Sequence, residues 1–321
     1  MEKVCLHGAP QNQSSVPPTF ILTGIPGLEE RSNWVSTLFC SLYFLAILGN
    51  SLILLVVAKE QGLHKPMYLF LSMLALSELG ISLSSAPTVL NLFLFDVREI
   101  GIDACLAQMF FIHSFSIMDS GVLWAMAFDR FIAIYNPLQY AAILTNSQIV
   151  MIGLVVAARS VVLMIPLPVL LRGLPFCRPN ILAHPFCLHS NLIRFPCADI
   201  TVNSRCGLFV VLSTFGLDSL CIVLSYIMIL KTVLGMASKE GRLKALNTCV
   251  SHICAVVVYY VPMIGVSMAH RFGKHASPLL HSLMANIYLL VPPVLNPIIY
   301  SIKTKEIRKA FRKLFSLKSS L

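Results

Sequence analysis

Several ionisable side chains stand where water would be scarce. Glu78, Asp119 and Asp218 lie inside long apolar runs, as does Arg159, and Asp129 with Arg130 closes another such run. Charge is expensive in hydrocarbon, so an ionisable residue within a spanning segment marks a functional site by default. Glu78 and Asp119, with the amides Asn50 and Asn296, form the first candidate set. Two carboxylates close together in a dry site either share a proton or hold a cation such as sodium. Arg159 and Asp218 either pair with each other or face separate hydrogen-bond networks. A third set, Cys177, His184, Cys187 and His189, has donors suited to zinc, but the same cysteines in an oxidising compartment would form disulfides.

The elements that carry these residues are apolar rods. The chain has 321 residues, of which 57% are hydrophobic and only 12% charged. A soluble domain carries roughly 25% charged residues, so the composition indicates an integral membrane protein. The net charge of +10 would suggest nucleic acid in a soluble chain, but the placement of the charge excludes that reading. Lys59, Lys65, Arg130, Lys231, Lys239, Arg242, Lys244 and the cluster from Lys303 to Lys318 fall on one predicted side, which should therefore be cytoplasmic. Spans are expected over about 34–58, 66–95, 147–171, 202–234, 243–269 and 278–302. A further span lies within the stretch from Cys105 to Tyr140. The fold class is thus an all-α membrane protein, a seven-transmembrane helix bundle with its N-terminus outside and its C-terminus inside. Residues 1–33 form an extracellular N-terminus, 34–302 the bundle, and 303–321 a cytoplasmic tail. In that tail Ile307, Ala310, Phe311, Leu314 and Phe315 recur at helical spacing opposite a basic face, the pattern of an amphipathic interfacial helix on anionic lipid. No short apolar run with a small-residue cleavage site precedes Trp34, so the first span is expected to serve as the targeting signal. Asn12-Gln13-Ser14 is a glycosylation sequon on the predicted outer side.

Four strings carry a resemblance. Met126-Ala127-Phe128-Asp129-Arg130-Phe131-Ile132-Ala133-Ile134-Tyr135-Asn136-Pro137-Leu138-Gln139-Tyr140 resembles the third-span signature of olfactory receptors. Leu63-His64-Lys65-Pro66-Met67-Tyr68-Leu69-Phe70-Leu71-Ser72 resembles their second-span signature. Lys244-Ala245-Leu246-Asn247-Thr248-Cys249-Val250-Ser251-His252 resembles the sixth, with Asn247 in place of the usual Ser. Asn296-Pro297-Ile298-Ile299-Tyr300 is close to the Asn-Pro-x-x-Tyr of the wider rhodopsin-like superfamily of G-protein-coupled receptors. Ser267 to Lys274 and Ala285 to Pro293 resemble the class I, fish-like, branch.

The resemblance implies particular roles. Asn50, Glu78, Asp119 and Asn296 would form the intramembrane sodium or proton site, with Glu78 where the family usually has Asp. Asp129 and Arg130 would restrain the resting state. Tyr226, His252 and Tyr300 would take part in activation and coupling to a stimulatory-class G protein that raises cyclic AMP. Cys105 would pair with Cys187 and Cys177 with Cys197. Arg271 would clamp the carboxylate of an acid odorant, with Ser267, His113 and His189 as further polar contacts; the alternative is that Arg271 snorkels to the lipid headgroups. Beyond the sodium ion no cofactor is implied, and no enzymatic activity. Two other functions stay open at this level: a receptor of the same fold for an endogenous metabolite, and a transporter using Glu78, Asp119, Asp218 and Arg159 as a proton path. The lack of internal repeats weighs against the transporter. An intramembrane aspartyl protease would need a Gly-x-Gly-Asp context, which is absent.

Overall fold

Where no water can satisfy the backbone, a long apolar segment saves its peptide groups by hydrogen-bonding within itself, and the chain accordingly folds into long helices. The computed structural model describes residues 19–25, 33–176, 180–272 and 277–318. Its long helices are α1 (Asn33–Lys59), α2 (Pro66–Phe95) and α3 (Ile102–Tyr135). Next come α4 (Asn146–Arg172) and α5 (Thr201–Gly235). The chain closes with α6 (Lys239–Phe272), α7 (Pro278–Lys303) and α8 (Lys305–Lys318). Six of these, all but α3 and α8, are long and apolar enough to cross a membrane. Their outward faces carry large apolar side chains such as Phe44, Leu83, Leu154, Val162, Leu220 and Val261, the surface expected where lipid is the solvent.

The central rod is α3. It packs against α2, α4, α5 and α6, and buries a column of polar groups that includes Ser114, Ser116, Asp119, Ser120 and Asp129. The helix extends beyond one end of the expected stretch and stops short of the other. It starts three residues before Cys105, at Ile102, and stops at Tyr135, because Pro137 disfavours helix for the residue before it. Gln139 and Tyr140 lie beyond that stop, Tyr140 in a separate short helix, Tyr140–Ile143. Likewise α6 begins at Lys239 and not at Leu243. Ser238 Oγ accepts from Gly241 N at 3.3 Å and so caps a polar first turn that hydropathy does not reveal.

Two helices are interrupted. In α4 the helix restarts at Pro166, after Ile165, since proline offers no amide hydrogen. In α5 a wide π turn occupies Leu212–Gly216, between α-helical halves Thr201–Val211 and Leu217–Gly235.

The expectation of an all-α chain needs one correction. Three short strands form a sheet at one end of the bundle, hereafter the lid end. Strand β1 (Thr19–Leu22) lies between β2 (Glu99–Gly101), to which it is antiparallel, and β3 (Ile181–Leu182), to which it is parallel. Residues Thr19–Leu22 are therefore part of the roof. Phe20 is fully buried there, with its ring 5.7 Å from Phe176 and 5.4 Å from Phe195. The segment between α4 and α5 forms the rest of the lid. Cys187 is disulfide-bonded to Cys105 at the start of α3. Its amide also donates to Gln108 Oε1 at 2.9 Å, and Gln108 Nε2 in turn donates to Ser84 O and Thr88 Oγ1 on α2. Cys197 is disulfide-bonded too; its expected partner Cys177 and the sequon at Asn12 lie outside the described residues.

At the opposite, basic end, α8 buries Ile307 and Ala310 while Lys305, Arg308, Lys309, Arg312 and Lys313 remain exposed. Lys313 Nζ meets Glu60 at 2.9 Å.

Phe20→Ala should remove the aromatic wedge of the roof. The expected loss is about 3–5 kcal/mol for a buried Phe, seen as a lower melting temperature of the detergent-solubilised protein.

Candidate functional site

Three polar assemblies follow one another along the bundle. The first is a cavity of about 330 Å³ beneath the lid, a size suited to a small organic ligand. His113 of α3, Ser267 of α6 and the lid residue His189 line it. Its remaining wall is mostly apolar, with Ile117, Met164, Leu167, Val210, Phe215, Met263 and Val266. Arg271 lies in the last turn of α6, and its side chain is outside the described residues. Arg194 of the lid and Tyr288 of α7 also line the cavity. Neither was singled out in the sequence, because a loop arginine and a span tyrosine carry no local signature. The lid's His189 donates its backbone N–H to His113 Nε2 at 3.3 Å, and its ring Nε2 lies 2.5 Å from Asn203 Oδ1. Burial pushes the His189 imidazole below its ordinary pKa, so the ring is neutral at physiological pH; the Asn203 contact acts in the opposite sense.

The second assembly lies deeper. Asn296 Nδ2 donates to Glu78 Oε1, and Ser77, one residue before Glu78, donates to Asp119 Oδ1. Asn50 sits beside Glu78 and donates to the carbonyls of Ala46 and Pro293 at 3.0 and 2.9 Å. The four residues singled out from sequence are thus brought together from α1, α2, α3 and α7. Glu78 Oε2, Asp119 Oδ2 and Asn296 Oδ1 are all buried and have no hydrogen-bond partner within the protein. Unpartnered oxygens between two acids fit a hard cation, or a proton shared with water. Among the described residues no group of three or more His, Cys, Asp or Glu is arranged to hold a metal. Of the zinc reading's Cys177, His184, Cys187 and His189, Cys187 is committed to Cys105 and so offers no thiolate, and Cys177 lies outside the described residues.

Next to it, Arg159 and Asp218 do pair. Arg159 Nη1 and Nη2 donate to the two oxygens of Asp218 at 2.8 and 2.6 Å, a two-pronged contact that lysine could not make. Ser120 Oγ donates to Asp218 Oδ2 at 2.9 Å and lies 2.8 Å from Tyr260 Oη. Three helices thus meet on one carboxylate, and Tyr260 of α6 joins them through Ser120. Gly121 makes the approach possible: a Cβ there would stand 2.8 Å from Val156 and 3.0 Å from Arg159 Nη2.

The third assembly is at the basic end. Arg130 Nε donates to Asp129 Oδ2 at 2.9 Å, and Nη2 contacts the same oxygen. Tyr140 Oη donates to Asp129 Oδ1 at 2.6 Å, so both oxygens of the buried acid are used. Burial, reinforced by the Asp129 carboxylate, pushes the Tyr140 phenol up, which keeps it a donor. Tyr140 was quoted only as part of a motif, and its reach back across eleven residues is set by the turn after Tyr135. Nearby, Tyr226 Oη lies 2.6 Å from His252 Nδ1, and His252 Nε2 lies 3.0 Å from the carbonyl of Leu123. If Nδ1 accepts from the phenol, Nε2 carries the proton and donates to that carbonyl. Tyr300 is fully buried with its hydroxyl 4.0 Å from Met126 Sδ.

With this geometry established, comparison with known proteins is informative. The olfactory receptor family model matches residues 39–318. Human olfactory receptor 51I2 is 56% identical over 299 residues, covering 93% of this chain and 96% of that protein. Human olfactory receptor 51L1 is 55% identical over 307 residues, covering 96% of this chain and 98% of its own. Human olfactory receptor 51G2 is 55% identical over 297 residues, covering 92% and 95%.

Asp218→Asn should leave Arg159 without its counter-charge. Breaking a buried pair on one side costs about 3–5 kcal/mol, whereas replacing both partners with apolar residues is often tolerated. Thermal melts should therefore rank Asp218→Asn well below Arg159→Met/Asp218→Leu.

Proposed function

This chain belongs to the olfactory receptor family, so it is an odorant receptor coupled to a G protein, and we propose that its odorants are small carboxylic acids bound in the cavity beneath the lid. The observation that carries this reading is the cavity itself: an apolar chamber in which His113, His189, Ser267 and Arg194 supply polar contacts. Arg271, one turn beyond Ser267 on α6, is assigned the carboxylate. A guanidinium stays charged at any physiological pH and offers parallel donors to both oxygens. The apolar wall accommodates the aliphatic tail.

In the same reading the lid end faces the outside and the basic end the cytoplasm, where the excess of Lys and Arg supports that orientation. The amphipathic helix α8 then lies along the inner leaflet with its basic face toward anionic headgroups. The Asp129–Arg130 pair, steadied by Tyr140, holds the resting state. Agonist binding would release α6, whose polar contacts with α5 and α3 near the basic end run through His252, and open a cleft for a stimulatory-class G protein that raises cyclic AMP. Glu78, Asp119, Asn50 and Asn296 would hold a sodium ion when one is bound, neutralising part of the charge between the two acids.

Two measurements test this. In cells carrying a cyclic-AMP reporter, Arg271→Ala should weaken responses to short and medium fatty acids by about 10- to 100-fold, the range for losing a charge-assisted contact, while alcohols of the same length lose little. An unchanged acid response would end the clamp. For the ion, the purified receptor should melt higher in sodium chloride than in choline chloride at equal ionic strength, and Asp119→Asn should abolish the difference.

A further inference from the structure

We propose that Asn203 and Gly207 of α5 form a socket for the lid residue His189, and that this socket sets the length of odorant the cavity admits. The proposal rests on the reading that the cavity is the odorant site, and concerns two residues to which that reading gives no role.

Asn203, Gly207 and Val210 follow one another at helical spacing on the inward face of α5, and all three are buried. Asn203 Nδ2 donates to the carbonyl of Leu167 on α4 at 3.3 Å, which turns its Oδ1 toward His189. His189 Nε2 must then donate to that oxygen, across 2.5 Å. Meanwhile the His189 backbone is held by His113 at 3.3 Å. The imidazole is therefore fixed at both ends. Between these anchors it lies directly on Gly207. A Cβ at that position would stand 2.7 Å from His189 Cε1 and 3.2 Å from Nδ1, closer than non-bonded atoms settle. Since His189 and Gly207 both line the cavity, a ring lifted off α5 by any side chain at 207 moves into space an odorant would use. Glycine here serves close approach and not an unusual backbone angle.

The hydrogen bonds also set the polarity of the chamber. His189, donating from Nε2, retains an acceptor at Nδ1. His113, accepting at Nε2, carries its proton on Nδ1. Asn203 is thus a positioning residue that acts through His189.

The test uses the full-length receptor in reporter cells, with surface level measured by flow cytometry on an epitope tag. The probes are straight-chain acids from butanoic to nonanoic and the matching primary alcohols. Gly207→Ala should shift the preferred chain to a shorter one, with responses to the longest active probes falling about tenfold or more, the discrimination one methylene brings in an apolar pocket. Adding His189→Ala to Gly207→Ala should restore the longer probes, a recovery that a folding defect would not show. His189→Ala alone should extend the range upward, and serves as the test if Gly207→Ala fails to reach the surface. An unchanged length profile in Gly207→Ala at normal surface level overturns the socket, as does a double variant no better than the single one, an unextended range in His189→Ala, or a wild type silent to both series. If His113→Ala and Ser267→Ala leave every response intact, the cavity is not the odorant site and the proposal falls with that reading. If those two variants lose the response while Gly207→Ala keeps its profile, the socket alone is refuted.

Discussion

A polar group buried in a lipid-solvated bundle must find its partner inside the bundle. That constraint shapes this receptor more than any single contact, because its outer surface offers helices only apolar neighbours. The polar column on α3 is where the constraint acts. Asp119 draws in Ser77, Ser120 draws in Asp218 together with its partner Arg159, and Asp129 draws in Arg130 and Tyr140. Asp119 and Ser120 thereby tie α3 to inward-facing groups of α2, α4 and α5.

The clusters around the buried acids differ in how completely they are satisfied. Around Asp129 and Asp218 both carboxylate oxygens have donors. Around Glu78 and Asp119 one oxygen of each does not. Full satisfaction rigidifies, and partial satisfaction leaves a place for an exchangeable proton, water or ion. The arrangement is therefore firm at the α4–α5 junction and at the basic end, and adaptable around Glu78 and Asp119.

Much of this was legible in the sequence, for physical reasons. Apolar runs longer than a bilayer core are hard to misread, and isolated acids within them stand out. The Asp129–Arg130 step and the set of Asn50, Glu78, Asp119 and Asn296 could be named because their types are rare in such runs, whereas His113, His189 and Ser267 rested on the resemblance. What stayed hidden depends on contacts between distant segments. Asn203 sits at the start of a span, where an amide is unremarkable, and Gly207 looks like any small residue. The pairing of Arg159 with Asp218 spans fifty-nine residues and was one of two alternatives. The strand Thr19–Leu22 alternates in burial, yet four residues without a visible partner do not announce a sheet; β2 and β3 come from two separate loops. Helix ends were missed where capping, not hydropathy, set them, as at Lys239.

The wide turn at Leu212–Gly216 gives α5 a reading frame of its own. A π turn takes in one residue more than the α-helix it interrupts, and each residue of helix is worth about 100° of rotation. The lid-side half of α5 places Asn203 and Gly207 against the lid and the other half places Asp218 against Arg159, and the turn between them sets the angle from one face to the other. Chain length in this turn is consequently under tighter control than its composition. Substitutions that keep the count should be absorbed, whereas loss of a single residue would swing one functional face or the other out of the bundle and toward lipid.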